Sequence, residues 1–274
     1  MPLRHQDIIG RDSICDDMTR LPFLLAAACL MSGCAAGPNP KDPYEKFNRK
    51  VHSFNEGFDK IVAKPVAKAY DKVLPDMVQT GIGNFFSNLG VLVTALNDAA
   101  QLKGSKVPVD IMRFTTNLVF GLGGLLDVAT ELKIENRNED FGQTLGYWGV
   151  GSGPYLVLPI LGPSSVRDGV ALPVDYYLYP TTYVVDEPRE KNSLTAVRFI
   201  DARAKLLGAG EFLEQSGMDK YSFIRDAVIQ RREYQVHDGE PPISNEPGAT
   251  RPKTLLELEE EDFGDEPPSG APTK

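Results

Sequence analysis

Within residues 44–64, Phe47, Val51, Phe54, Phe58 and Ile61 fall at three- and four-residue steps. A helix through them carries one continuous apolar face, with Lys46, Arg49, Lys50, Asp59 and Lys60 off it. Pro65 ends or kinks this helix, and residues 66–74 continue it to Pro75. Phe85, Phe86, Leu89, Leu92, Val93, Leu96, Ala99, Ala100 and Leu102 make a second face that stops at Gly104. Ile111, Phe114, Leu118 and Leu122 make a third, starting near Pro108, and two more helices are predicted over residues 193–207 and 221–234. A chain patterned at this period is expected to be all-α. It contains no internal repeat of roughly 20–50 residues that would make it a solenoid.

None of these faces can cross a bilayer, which takes roughly 20 consecutive apolar residues. The most apolar stretch, residues 118–126, is bounded by Asn117 and Asp127 and broken by Gly121, Gly123 and Gly124, so it can enter a membrane without traversing it. Residues 21–31 (LPFLLAAACLM) are shorter still. They follow Arg20, precede Ser32, Gly33 and Cys34, and resemble a bacterial lipoprotein signal. In that reading MSGC is the processing box and the Cys34 thiol accepts diacylglycerol, with Cys29 a weaker rival. Residues 1–17 carry a mixed charge that such a signal does not need, so translation is expected to start at Met18, leaving residues 18–33 as the signal peptide. Two or three acyl chains hold a protein on a membrane where one does not. The mature chain is therefore expected to be anchored and to face the periplasm, and Ala35 in place of Asp points to the inner leaflet of the outer membrane. The diacylglycerol and acyl chain on Cys34 are the only groups expected; no cofactor is.

Residues 34–42 read as a tether, 43–236 as the body and 237–274 as a tail. The tail holds ten acidic residues against three basic ones, and seven prolines, so it carries most of the chain's net charge of −9 and is expected to be a disordered spacer. That acidity excludes a protein that coats nucleic acid. All three cysteines, Cys15, Cys29 and Cys34, precede the body, which therefore has neither a disulfide nor a Cys-based metal site. Only His52 and His237 follow the signal, and no G-x-S-x-G, H-E-x-x-H or P-loop pattern is present. Ser152 or Ser164 as a nucleophile would have almost no base to work with, so the chain does not read as an enzyme. His52 and Glu56 lie one helical turn apart without a third ligand and read as structural, so no metal is expected. Residues 141–163 read as a loop, dense in Gly and Pro yet apolar, and residues 175–183 (DYYLYPTTY) carry four tyrosines suited to a water–lipid boundary.

Five stretches carry a family likeness in collinear order: 42–60 (DPYEKFNRKVHSFNEGFDK), 81–89 (GIGNFFSNL), 113–129 (RFTTNLVFGLGGLLDVA), 141–168 (FGQTLGYWGVGSGPYLVLPILGPSSVRD) and, more weakly, 203–207 (RAKLL) with 221–234 (YSFIRDAVIQRREY). They resemble the MlaA (VacJ) family of outer-membrane lipoproteins. The resemblance implies a ring-shaped bundle of amphipathic helices lying in the membrane plane, with a central amphipathic channel. It implies a protein that removes mislocalised phospholipids from the outer leaflet and passes them to a periplasmic carrier similar to MlaC, which feeds an inner-membrane ABC transporter. A trimeric porin is the further partner it implies. By position, Gly142, Gly146, Gly149, Gly151, Gly153, Pro154 and Tyr155 are expected to line or gate the channel, and Asn84 and Phe85 to act as a hinge or inter-helix lock. Arg113 and Arg167 are candidate phosphate contacts, or else ion-pair partners of Asp110 and Asp168. The rival reading is a lipoprotein that only braces a porin or the envelope. The sequence departs from the family pattern in its acidic tail and in Met31, where Leu is usual.

Overall fold

The computed structural model describes residues 39–240; the signal segment, Cys34 and residues 241–274 lie outside that range. Helix α1 (Glu45–Phe58) passes through a π-helical turn (Asp59–Ala63) into α2 (Lys64–Val73). Pro65 sits in the first turn of α2, where its missing N–H costs least, and the wider π turn before it absorbs the change of register. After Pro75 come α3 (Asp76–Ala100), α4 (Val107–Val119) and the short α5 (Val128–Glu131). Then follow α6 (Phe141–Tyr147), the strands β1 (Tyr155–Leu158) and β2 (Gly162–Ser165), and α7 (Val166–Leu178). The described residues continue with α8 (Thr181–Val184), α9 (Pro188–Lys205), α10 (Leu207–Gln215) and α11 (Lys220–Val236).

The fold is mostly helical, as expected, but residues 141–163 are not a loop. Asp140 caps α6 by accepting from the Gln143 N–H at 2.9 Å. The two strands pair antiparallel, Tyr155 facing Ser165 and Leu158 facing Gly162, and the YLVL segment alternates buried and half-buried positions, as one strand of a hairpin does. Contacts between elements close into a circuit: α2 packs on α9, α9 on α3, α3 on α6, α6 on α11, α11 on β2, and β1 on α1, which leads back into α2.

The interior is unusually polar, and much apolar surface is exposed. Among the described residues seventeen polar or charged residues are buried, against thirteen apolar ones, six of them alanine. Along α3 the side chains of Asn88, Asn97 and Asp98 point inward, while Leu96 is half exposed and Leu102, just past the helix, is 90% exposed. Phe120, Leu122, Leu161, Val170 and Val184 are likewise exposed. Single exposed apolar residues need no explanation, but contiguous apolar surface over a polar interior marks contact with a membrane or a partner. No helix among the described residues is long and apolar enough to cross a membrane. Among the described residues an apolar core cluster, Tyr155, Val157 and Tyr221 with Val51, Val228 and Ile229, joins α1, the hairpin and α11.

The interior is held by hydrogen bonds and charge. Arg137 donates to Asp98 Oδ2 and Asp110 Oδ1, both at 2.8 Å, bridging α3 to α4. Gln101 donates to Glu139 and Thr144 at 3.0 Å each, and Thr144 to Asn97 at 2.7 Å. Burial, with the neighbouring Asp98, pushes the Asp110 carboxyl up to about 7, Arg137 opposing. A carboxyl raised in the folded state binds more protons there than in the unfolded chain, so its contribution to stability is present below about pH 4 and is lost as pH rises through about 7. Asp110→Asn is therefore expected to flatten the dependence of melting temperature on pH between about pH 4 and 7 and to raise stability above pH 7. Thermal melts of both proteins across that range check it; parallel profiles would contradict it.

Candidate functional site

A cleft of about 640 Å³, within the range of small-molecule sites, opens beside the hairpin. One wall is aliphatic, formed by Val228, Ile229 and Val236 of α11; the rim includes Lys41 and Ser152. The floor is a ladder of alternating charge. Asp140 receives Arg232 Nη1 and Nη2 at 2.6 Å each, Arg232 reaches Asp168 at 3.0 Å, and Arg167 Nε donates to the same Asp168 oxygen at 2.9 Å. Burial works to raise the Asp140 carboxyl, yet the hydrogen bonds and charge of Arg232, with help from Gln143, hold it below the ordinary carboxylate value.

Two glycines one turn apart make this ladder possible. A Cβ on Gly142 would run into the Arg232 guanidinium and come within 2.6 Å of Asp168 Oδ1; one on Gly146 would lie 2.7 Å from Arg167 Nη1 and 2.8 Å from a Val236 methyl. The bare face of α6 lets α7 and α11 close onto it.

The structure brings Gly146, Gly149, Gly151, Gly153, Pro154, Tyr155 and Arg167 to this one cleft, with Gly142 under its floor. Asn84, Phe85 and Arg113 lie elsewhere. Asn84 donates to the Leu125 carbonyl at 3.1 Å, tying α3 to the turn after α4, and Phe85 stacks edge-on against Phe86. Arg113 is buried and pairs with Asp127, not Asp110, which is committed to Arg137; it also donates to Thr130 and, at 2.7 Å, to the Ile134 carbonyl. Together with Asn117, which donates to Asp127 and accepts from the Ala129 N–H, it fixes the base of residues 118–126, whose Val119, Phe120 and Leu122 are well exposed. His52 stacks edge-on against Tyr221, 3.9 Å from Glu56; among the described residues no cluster of three His, Cys, Asp or Glu could hold a metal.

Sequence reading missed Arg232, Asp140 and Asp42. The Asp140–Gln143 spacing is a helix-capping signal that could have placed the second of these. Asp42, assigned to the tether, belongs to the body: it is fully buried and accepts from Asn48 at 2.8 Å, from the Tyr221 hydroxyl and from Arg225. Asn48 also accepts from the Val157 N–H and donates to the Tyr155 carbonyl, and the Tyr155 N–H donates to the Lys41 carbonyl. At the other end the body runs past residue 236, because Asp238 pairs with Lys103 at 2.6 Å and Lys106 at 3.0 Å.

The MlaA lipoprotein family pattern matches residues 40–235, spanning the clamp at Asp42, the cleft and α11. The chain belongs to the MlaA lipoprotein family. It is 36% identical over 232 residues to the intermembrane phospholipid transport system lipoprotein MlaA of Haemophilus influenzae, covering 81% of this chain and 91% of that one. The protein of that name from Escherichia coli K12 is 33% identical over 238 residues, covering 84% and 94%. An uncharacterized Rickettsia bellii protein is 38% identical over 197 residues, covering 71% and 76%. A solved structure from work on the structural basis for maintenance of bacterial outer membrane lipid asymmetry superposes with a TM-score of 0.62 at 34% identity, covering 71% of this chain and 98% of that one. The mostly helical fold is thus an MlaA fold.

Proposed function

We propose that this MlaA-family lipoprotein, anchored through Cys34 in the inner leaflet of the outer membrane, withdraws phospholipids mislocalised to the outer leaflet through an amphipathic passage. It hands them to a soluble periplasmic carrier that feeds an inner-membrane ABC transporter, and so maintains lipid asymmetry. The polar interior beneath exposed apolar surface carries this reading: an exterior of exposed leucine, valine and phenylalanine is stable in hydrocarbon, while a headgroup in transit needs polar groups within. The closed circuit of packing supports a ring about a central opening. The named relatives, being intermembrane phospholipid transport lipoproteins, support the cargo.

The anchor and the cleft are neighbours on this reading. Cys34 precedes the clamped Asp42 by eight residues, no more than ~29 Å of extended chain, so the rim at Lys41 stays near the membrane surface. A trimeric porin is the partner that the exposed apolar faces would meet within the membrane. Transport needs no catalysis. Although Ser164 and His237 both border the cleft, the Ser164 hydroxyl donates to the Ser165 carbonyl and His237 Nδ1 is engaged by the Glu233 carbonyl, so they do not form a nucleophile–base pair.

Cys34→Ser is expected to remove the acyl anchor, so that part of the protein leaves the membrane, and to raise phospholipid at the cell surface, read by fractionation and surface-lipid labelling. Release without a change in surface phospholipid would contradict transport. A porin that co-purifies with the wild-type protein while phospholipid does not would indicate a brace.

A further inference from the structure

The cleft contains a buried cation with donors to spare. The Arg167 side chain is only 5% exposed. Its Nε donates to Asp168 at 2.9 Å and its Nη1 to the Val150 carbonyl at 3.3 Å, while Nη2 donates to none of the described residues. Arg167 lines the cleft, and Nη2 is its guanidinium nitrogen not engaged by a described residue. Asp168 is divided: Arg232 approaches Oδ1 at 3.0 Å and Oδ2 at 2.9 Å, leaving Arg167 a share of one carboxylate. Nη2 carries two N–H groups, which can donate to the oxygens of a tetrahedral anion. Beside it Gly151 has open space where a side chain would be, and Ser152 is exposed on the rim. The aliphatic residues of α11 line the same cleft, Val236 beside Arg167 at Gly146.

We infer that Arg167 is the phosphate-binding residue of this cleft, taking the headgroup phosphate of an amphiphile through Nη2 while Val228, Ile229 and Val236 hold the first methylenes of its chains. The inference rests on the transport reading above and adds the group that recognises the cargo. Gly146 is part of the device, since any side chain there would push the guanidinium out of place.

The test uses the full lipidated protein in detergent with three probes: dioctanoyl phosphatidylglycerol, dioctanoylglycerol with the same chains but no phosphate, and inorganic phosphate. The wild type is expected to bind the phospholipid at least about tenfold more tightly than the diacylglycerol, and Arg167→Gln to abolish that preference. Arg167→Lys, a point charge without the fork, is expected to retain part of it. Because Arg167→Gln also gives up bonds to Asp168 and Val150, Ser152→Asp serves as a second variant. It sets a carboxylate at the rim, leaves the Arg167 bonds intact, and is expected to weaken the phospholipid about tenfold without changing the diacylglycerol. Excess inorganic phosphate is expected to displace the phospholipid and to leave the diacylglycerol bound; displacement of both lipids, or of neither, would count against the assignment. Equal wild-type affinity for the two lipids, or a preference that survives both Arg167→Gln and Ser152→Asp, would overturn it. Surface-phospholipid labelling in cells separates the two readings. Wild-type clearance with no phosphate preference in vitro removes only the Arg167 assignment, whereas no clearance by the wild type removes the transport reading.

Discussion

Asp42→Ala is expected to lower the unfolding free energy by about 3 kcal/mol, roughly 10 °C in Tm for a body of this size. The carboxylate is completely buried where the chain enters the fold, and its loss strands three donors at once: the Asn48 amide, the Tyr221 hydroxyl and one edge of Arg225. Asn48 in turn positions β1, so the damage reaches the Tyr155 end of the cleft. Asp42→Asn keeps an acceptor but not the charge and is expected to lose about half as much. A melt of Asp42→Ala within about 2 °C of the wild type would mean that the clamp is not what fixes the tether to the body.

Arg232→Met is expected to cost about as much, on the order of 3–5 kcal/mol near neutral pH, because it removes the cation shared by Asp140 and Asp168 under the cleft and leaves Arg167 paired with Asp168 alone. Its signature is the response to acid. In the wild type Asp140 is held below its ordinary value, so it contributes stability above about pH 4 that is lost as pH falls through its folded value. Without Arg232, burial is opposed on that carboxyl by the Gln143 hydrogen bonds and no longer by the guanidinium, so its pKa rises and the variant's deficit should shrink on acidification toward pH ~4. Melting curves at several pH values decide this; a deficit that grows on acidification would contradict the ladder.

The helices were legible because the three- and four-residue period depends only on local geometry, and Phe47, Val51 and Phe54 fix α1 whatever surrounds it. What each face meets was not legible. Periodicity reports that Leu96 and Asn97 lie on different sides of α3, but only the tertiary structure shows that Asn97 faces in and Leu96 faces out. Residues 141–163 misled because glycine density normally marks a turn, whereas Gly142 and Gly146 serve close packing inside a helix. The Gly149–Tyr155 part of the cleft was legible as an unusual apolar Gly-rich segment. The charge ladder was not, since Asp140 and Arg232 are separated by 92 residues and Asp42 and Arg225 by 183, and no local pattern announces such pairs.

On the proposed function, the exposed apolar surface of this protein lies in lipid. The chain has a single tryptophan, Trp148, so a Trp148→Phe protein with Phe120→Trp reports from the most exposed part of the turn after α4. In vesicles whose acyl chains carry bromine, fluorescence from position 120 is predicted to be strongly quenched and to be indifferent to iodide in the water. Quenching by iodide with no effect of the brominated chains would place that surface in water and contradict the account.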